Sequence, residues 1–270
     1  MSLYIYAITD RLEQPLSIQS GLNGERLGQL VWRDIAAVAS AYNGSQPSAS
    51  PENVWRHEEV LESLMHDRAV LPARFGVLAP SLQHVGDMLD RAYPAMVRDL
   101  ERVRAHVEVG VRFAMAVEAE AGEPKSGRSA LHAGEPAATH CRAADPGIGP
   151  ALGRRAFGAG SGSDYLRKRL AQERSLRDRQ QAQLTIIREI FGLLAEQASE
   201  SSLEENPDDR RRVSAAFLVP RDRLASFREA VAGAANAYPE LAFLCTGPWP
   251  PYSFVTAGER RTRWSECHAG

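Results

Sequence analysis

Eight residues near the end of the chain, Gly247-Pro-Trp-Pro-Pro-Tyr-Ser-Phe254, restrict the backbone more than any other stretch. Each proline fixes φ and removes a backbone donor, and the residue before each proline is pushed towards extended geometry. A helix or a central sheet strand is thereby excluded, and a rigid extended corner is expected where the strand Leu241 to Thr246 ends. Trp249, Tyr252 and Phe254 carry large apolar areas that favour clamping against a core. Trp249 and Phe254 are therefore expected to pack inward, with Trp249–Pro250 a candidate cis bond. A ligand site is the alternative reading. The stretch supplies no nucleophile, no paired acid and base and no set of metal ligands.

A chain of 270 residues, 44% hydrophobic and 24% charged, fits one large or two small soluble domains. Its net charge of -2 argues against a nucleic-acid binder that works through bulk charge. Cys141, Cys245 and Cys267 are odd in number and lack a CxxC pair, which suits a reducing compartment and not a disulfide framework or zinc site. The apolar run of the first residues stops at Asp10 and follows no basic segment, and no later run is long enough to cross a bilayer. The expectation is a cytoplasmic chain without membrane insertion.

Leu3 to Thr9 reads as a central strand, apolar on both faces. Leu27 to Arg33 and Ile35 to Tyr42 read as a hairpin broken at Asp34. Ser50-Pro51-Glu52 is a helix start, and Val54, His57, Leu61 and Leu64 share one face of the helix that follows. His57-Glu58-Glu59-Val60-Leu61 opens like a zinc-protease HExxH but lacks the second histidine. Val70 to Leu78, with Pro72 and Gly76, reads as an edge strand or bulge. Arg74 is there either a solvated or carboxylate-paired side chain or an anchor for a partner. Leu82 to Arg104 is helical in pattern, with Pro94 expected to kink or divide it.

His106 to Val117 reads as a strand. Glu118 to Ser163 turns to Gly, Ala, Pro and Ser and is expected to be a flexible insertion. Its glycines fit neither dinucleotide nor phosphate loops, and His132, His140 and Cys141 lack a second shell to hold a metal. Asp164 is the expected N-cap of a helix to about Ser199, basic in its first half, where a solvated face or an anionic partner are the two readings. Ser201 to Arg212 reads as a charged loop, Val213 to Val219 as a strand, Asp222 to Tyr238 as a helix. The fold class expected is α+β in two domains, 1–105 and 106–255, the second most of a ferredoxin-like unit carrying the 118–163 insertion, followed by a polar tail, 256–270.

Three stretches carry a resemblance: Tyr4 to Ile8; His57-Glu58 leading into Val70-Leu-Pro-Ala-Arg-Phe-Gly-Val77; and Ala215 to Pro220 with Gly247 to Val255. In this order, with Asp164-Tyr-Leu-Arg-Lys-Arg between them, they closely resemble the gas vesicle accessory proteins of the GvpF/GvpL type, over almost the whole chain. The resemblance implies a non-enzymatic, gas-vesicle-associated assembly role without cofactor, catalytic residue or metal. It also implies binding of the small hydrophobic gas vesicle shell protein, through the first domain, and of other accessory proteins, and a second domain that is a modified ferredoxin-like fold. The motif residues Pro72, Arg74, Phe75, Gly76, Gly247, Pro248, Trp249, Pro250, Pro251, Tyr252 and Phe254 become structural or partner-binding candidates. A small-molecule-binding regulatory module or an enzyme on a ferredoxin-like scaffold is the competing reading.

Overall fold

The computed structural model describes residues 2–11, 15–115, 161–205 and 212–255. Residues 1–115 and 182–270 make one compact unit and 116–181 a second, whose described part is a helical stretch. His132, His140 and Cys141, the glycine runs before residue 161, and the tail with Cys267 lie outside the described residues.

The first sheet is organised by β1 (Ser2–Asp10), which pairs on both sides as an apolar strand of this kind should. On one side lies the hairpin β2 (Leu27–Trp32) and β3 (Ile35–Tyr42), and the order is β2-β3-β1-β4. On the other side β4 (Val70–Pro72) and β5 (Leu78–Ala79) both pair with β1. The expected single edge segment is thus two short strands, with Ala73 to Val77 looping out between them. A register shift between Ile5 and Ala7 resets the alternation of β1. Tyr4, Tyr6 and Ala7 enter one core, Ile5 and Ile8 the other.

Helix α1 (Pro51–Asp67) packs on the tyrosine face through His57, Val60, Leu61, Leu64 and Met65. Its start is as expected: the Ser50 hydroxyl accepts from the Asn53 N–H, with Pro51 in the first turn. Val54 is not part of the inward face; it lies one turn ahead of the buried stripe and is exposed. Helix α2 (Leu82–Val103) covers the other face and runs unbroken through Pro94. The proline costs one helical hydrogen bond, but Val85 and Leu89 before it and Met96, Leu100 and Val103 after it lie in one core, and this shared burial carries the helix past it.

The second sheet consists of β6 (His106–Met115), β7 (Glu200–Glu205), β8 (Arg212–Pro220) and β9 (Leu241–Trp249), ordered β7-β8-β6-β9 with antiparallel pairs throughout. Helix α3 (Ser161–Ala195) connects β6 to β7 and α4 (Leu224–Ala237) connects β8 to β9, so the element order is strand, helix, strand, strand, helix, strand. Strand β7 takes the first five residues of the loop expected from Ser201 to Arg212, and residues 206–211 lie outside the described residues. Its glutamates mimic loop composition, yet charged side chains are what a sheet edge carries to resist further pairing. Helix α3 begins at Ser161, which puts Asp164 inside the first turn instead of at the cap. Val107, Val109, Val111 and Phe113 alternate along β6 towards Leu184, Ile187, Ile190 and Leu194 of α3 and Phe227 of α4.

The sheets share their cores. One cluster runs from Tyr4 and Leu61 to Val109 and Phe217, and the other joins Ile5 and Leu89 to Leu218 and Phe254.

Candidate functional site

Both motif blocks converge on α1, at His57 and Glu58. His57 sits on the inward stripe of the helix and is fully buried. Its Nε2 lies 3.1 Å from the Ala73 carbonyl, which only accepts, so Nε2 carries the proton and donates. Nδ1, 2.9 Å away from Tyr4 Oη, then accepts the tyrosine proton. Tyr4 Oη in turn accepts from the Gly76 N–H at 3.1 Å, and Ala73 N–H donates to the Tyr6 carbonyl at 2.8 Å. Two buried side chains therefore pin both flanks of the Ala73 to Gly76 loop. The Tyr6 ring stacks on the imidazole with an interplanar angle of 22°, and the Phe75 ring meets it edge-on at 5.8 Å. Gly76 takes φ +91, a left-handed conformation that suits glycine.

Burial lowers the His57 pKa from its ordinary 6.5 to about 4, against the opposing pull of the Ala73 carbonyl. The ring is neutral at pH 7, with both nitrogens engaged, and has no free lone pair for a metal or a substrate.

From the C-terminal block, Tyr252 Oη donates to Glu58 Oε1 at 3.1 Å and lies 3.5 Å from His57 Nε2. Burial raises the pKa of Tyr252, and the charge on Glu58 raises it further. Burial raises Glu58 as well, with the tyrosine hydrogen bond working the other way; its Oε2 is buried without a partner. Ser253 donates twice to Glu108 on β6, its N–H at 2.8 Å and its hydroxyl at 2.7 Å. Phe254 is 6% exposed, and its carbonyl accepts from Arg102, which also pairs with Asp99 at 2.9 Å and Glu200 at 3.3 Å.

The start of that block departs from expectation in three ways. Strand β9 continues to Trp249 instead of stopping at Thr246. The cis bond is Gly247–Pro248, not Trp249–Pro250; Gly247 takes φ +111 there, and a Cβ would lie 2.8 Å from the Glu108 carbonyl. Trp249 is 40% exposed instead of packed inward. Between Glu108 and Gly110 the β6–β9 register shifts, with two β9 residues facing one on β6, and such a bulge re-aims the side chain that follows. Inward anchoring passes to Pro250, Pro251 and Phe254, all buried, while Pro248 is exposed.

Arg74 is exposed and makes no hydrogen bond or ion pair among the described residues, so it is not the carboxylate-paired arginine of a half-buried strand. Pro72, Phe75 and Gly76 are half-buried around it. The structure thus brings Pro72 to Gly76 together with Tyr252 and Phe254, and sets Gly247 to Trp249 apart, with the Gly247 carbonyl held by Arg228 of α4 at 2.7 Å. Sequence reasoning missed Tyr4, Glu108 and Arg102 and gave His57 and Glu58 no role. The available signal was a histidine inside an otherwise apolar helical stripe, opposite two tyrosines at alternate positions of a central strand. Among the described residues no group of three or more His, Cys, Asp or Glu is placed to hold a metal ion, and no helix is long and apolar enough to cross a membrane.

Fold and site together define an α+β protein whose two antiparallel sheets are stitched by a buried tyrosine–histidine–glutamate seam. The chain belongs to the gas vesicle synthesis protein GvpL/GvpF family, whose model matches residues 2–256. Gas vesicle protein L of Streptomyces sp. (strain CB03234) is 29% identical, over 95% of this chain and 93% of that protein. Gas vesicle protein F1 of Halobacterium salinarum is 22% identical over 94% of this chain and 92% of its own length. The crystal structure of GvpF from Anabaena sp. PCC7120 superposes with a TM-score of 0.68 at 21% identity, covering 94% of this chain and 96% of that one. GvpF from Microcystis aeruginosa gives 0.66 at 18%, covering 94% and 99%. These solved structures share the mixed helix and sheet fold, and the chain is a gas vesicle accessory protein.

Proposed function

We propose that this chain assists gas vesicle assembly without catalysing a reaction, by binding the small hydrophobic shell protein through residues 1–105. Other accessory proteins engage it during the same process, in the cytoplasm and on the growing vesicle. Residues 106–255 are read as a modified ferredoxin-like domain that braces the first. The observation that carries the reading is Arg74, an exposed guanidinium free of partners among the described residues, on a loop whose flanks are fixed by Tyr4 and His57. A backbone fixed before binding has less freedom to lose on association, and arginine is among the side chains enriched as interface anchors. Strand addition along the same edge is disfavoured, because β4 is three residues long and ends in a proline.

The test is complementation of a strain lacking this gene with the wild-type chain, Arg74→Ala or Arg74→Glu, scored by electron microscopy of gas vesicles. Wild-type levels of both variants in the cell without vesicles are expected. Normal vesicle numbers with Arg74→Glu would overturn the assignment of the anchor, and normal numbers without the gene would overturn the assembly role.

A further inference from the structure

We propose that the open end of the second sheet's outer face is a docking groove for an amphipathic helix of a partner protein, one that carries a carboxylate beside its apolar stripe. Val111 and Phe113 point into the core, so their neighbours on β6 face outward. Leu244, Arg112, Ser214 and Glu204 stand in one row across the four strands, and Ala242, Ala114 and Arg212 follow in the next. They line a cleft of about 780 Å³, in which the small side chains Ala114, Ser214 and Ala242 leave room for a helix between charged flanks.

The other end of the same face shows what kind of element covers it. There Leu218 is fully buried and Ala216 partly so, in one cluster with Leu100 and Val103 of α2 and with Phe254. An apolar helical stripe already lies on this sheet, and the covering stops short of Leu244, which is 54% exposed.

Charge selects the occupant further. Glu205 is taken by Arg188 in a two-point pair at 2.8 and 2.9 Å. Arg112, on a strand paired on both sides, is exposed and makes no hydrogen bond or ion pair among the described residues. Glu204 is exposed in the same row but stands two strands away, with Ser214 between it and Arg112; a helix that covered Arg112 without offering an acid there would bury an unpaired cation, which is strongly unfavourable.

The test is a titration of the full-length, ¹⁵N-labelled chain with two synthetic leucine/alanine amphipathic peptides, one with glutamates flanking its stripe and the other with lysines. The glutamate peptide is expected to shift the amides of Arg112, Ala114, Ser214 and Leu244 and to bind at least about tenfold more tightly than the lysine peptide. Arg112→Glu reverses that preference, and Leu244→Asp abolishes binding of both peptides, with melting temperatures unchanged. The proposal is overturned by any of four results: equal binding of both peptides, shifts that map elsewhere, a preference that survives Arg112→Glu, or no binding by either peptide. Concentration-dependent shifts of these amides without peptide would assign the groove to a second copy and overturn it as well.

Discussion

His57 is a base kept neutral by its surroundings, and that has a consequence for stability. Its folded pKa of about 4 lies below the ordinary 6.5, so between these values the unfolded chain takes up a proton that the native chain refuses. Stability contributed by the neutral ring is complete above pH 6.5, is lost as pH falls towards 4, and totals about 3 kcal/mol. Glu58 and Glu108 are shifted upward by burial and act in the opposite sense, favouring the native state as they protonate. The informative measurement is therefore a difference. Urea unfolding of wild type and His57→Gln from pH 7 to 4 should show the variant less stable at pH 7 but with a shallower acid slope; parallel slopes would contradict the assignment. Tyr252→Phe removes the partner of Glu58 Oε1 while Oε2 already lacks one, and should cost about 1–3 kcal/mol in the same assay. Arg74→Ala should change stability by no more than about 0.5 kcal/mol, because the side chain is exposed and makes no hydrogen bond or ion pair among the described residues.

At the scale of elements, the C-terminal block works as a latch with its bolt at Phe254. Phe254→Ala should cost about 3–5 kcal/mol by thermal or urea denaturation, whereas Trp249→Ala, at an exposed position, should cost much less. This ranking separates what the sequence made legible from what it did not. Periodicity located β1, the β2–β3 hairpin, α1, α2, β8 and α4 to within a few residues, because each buries a regular stripe. It missed β7, whose glutamates look like a loop until the β8 ladder is known, and it expected Pro94 to kink or divide α2, which runs unbroken through it because packing outweighs one missing hydrogen bond. The direction of Trp249 depended on a bulge opposite Val109, a tertiary fact with no local signature. In the site, the two motif blocks were legible as blocks. Their meeting on His57 was not, since it requires residues 73, 76 and 252 to converge across the sheet pairing. Gly247 is the exception, a glycine in a proline-rich corner; with φ +111 and no room for a Cβ, Gly247→Ala should cost about 1–3 kcal/mol.

At the scale of the molecule, the two sheets do not hold separate cores. Both hydrophobic clusters draw on residues before and after position 105, and Arg221 donates to the Met65 carbonyl while Arg104 pairs with Asp10 at 2.9 Å. Unfolding of a Trp249→Phe, Trp264→Phe variant, whose remaining tryptophans Trp32 and Trp55 report from the first sheet and its helix, should show tryptophan fluorescence changing together with loss of helical circular dichroism. Two separated transitions would show that the halves are energetically independent. The shared core also explains why a short exposed loop can be rigid: His57 is fixed from three sides, by β1, by the loop itself and by Tyr252.

We propose that this rigidity presents Arg74 to the shell protein. Its most direct test is the equilibrium binding of the purified full-length chain to the gas vesicle shell protein, comparing wild type, Arg74→Glu and a control charge reversal at the exposed Arg98 of α2. Arg74→Glu is expected to bind at least about tenfold more weakly, with an unchanged melting temperature and with Arg98→Glu behaving as wild type. Equal affinity of all three proteins would contradict it.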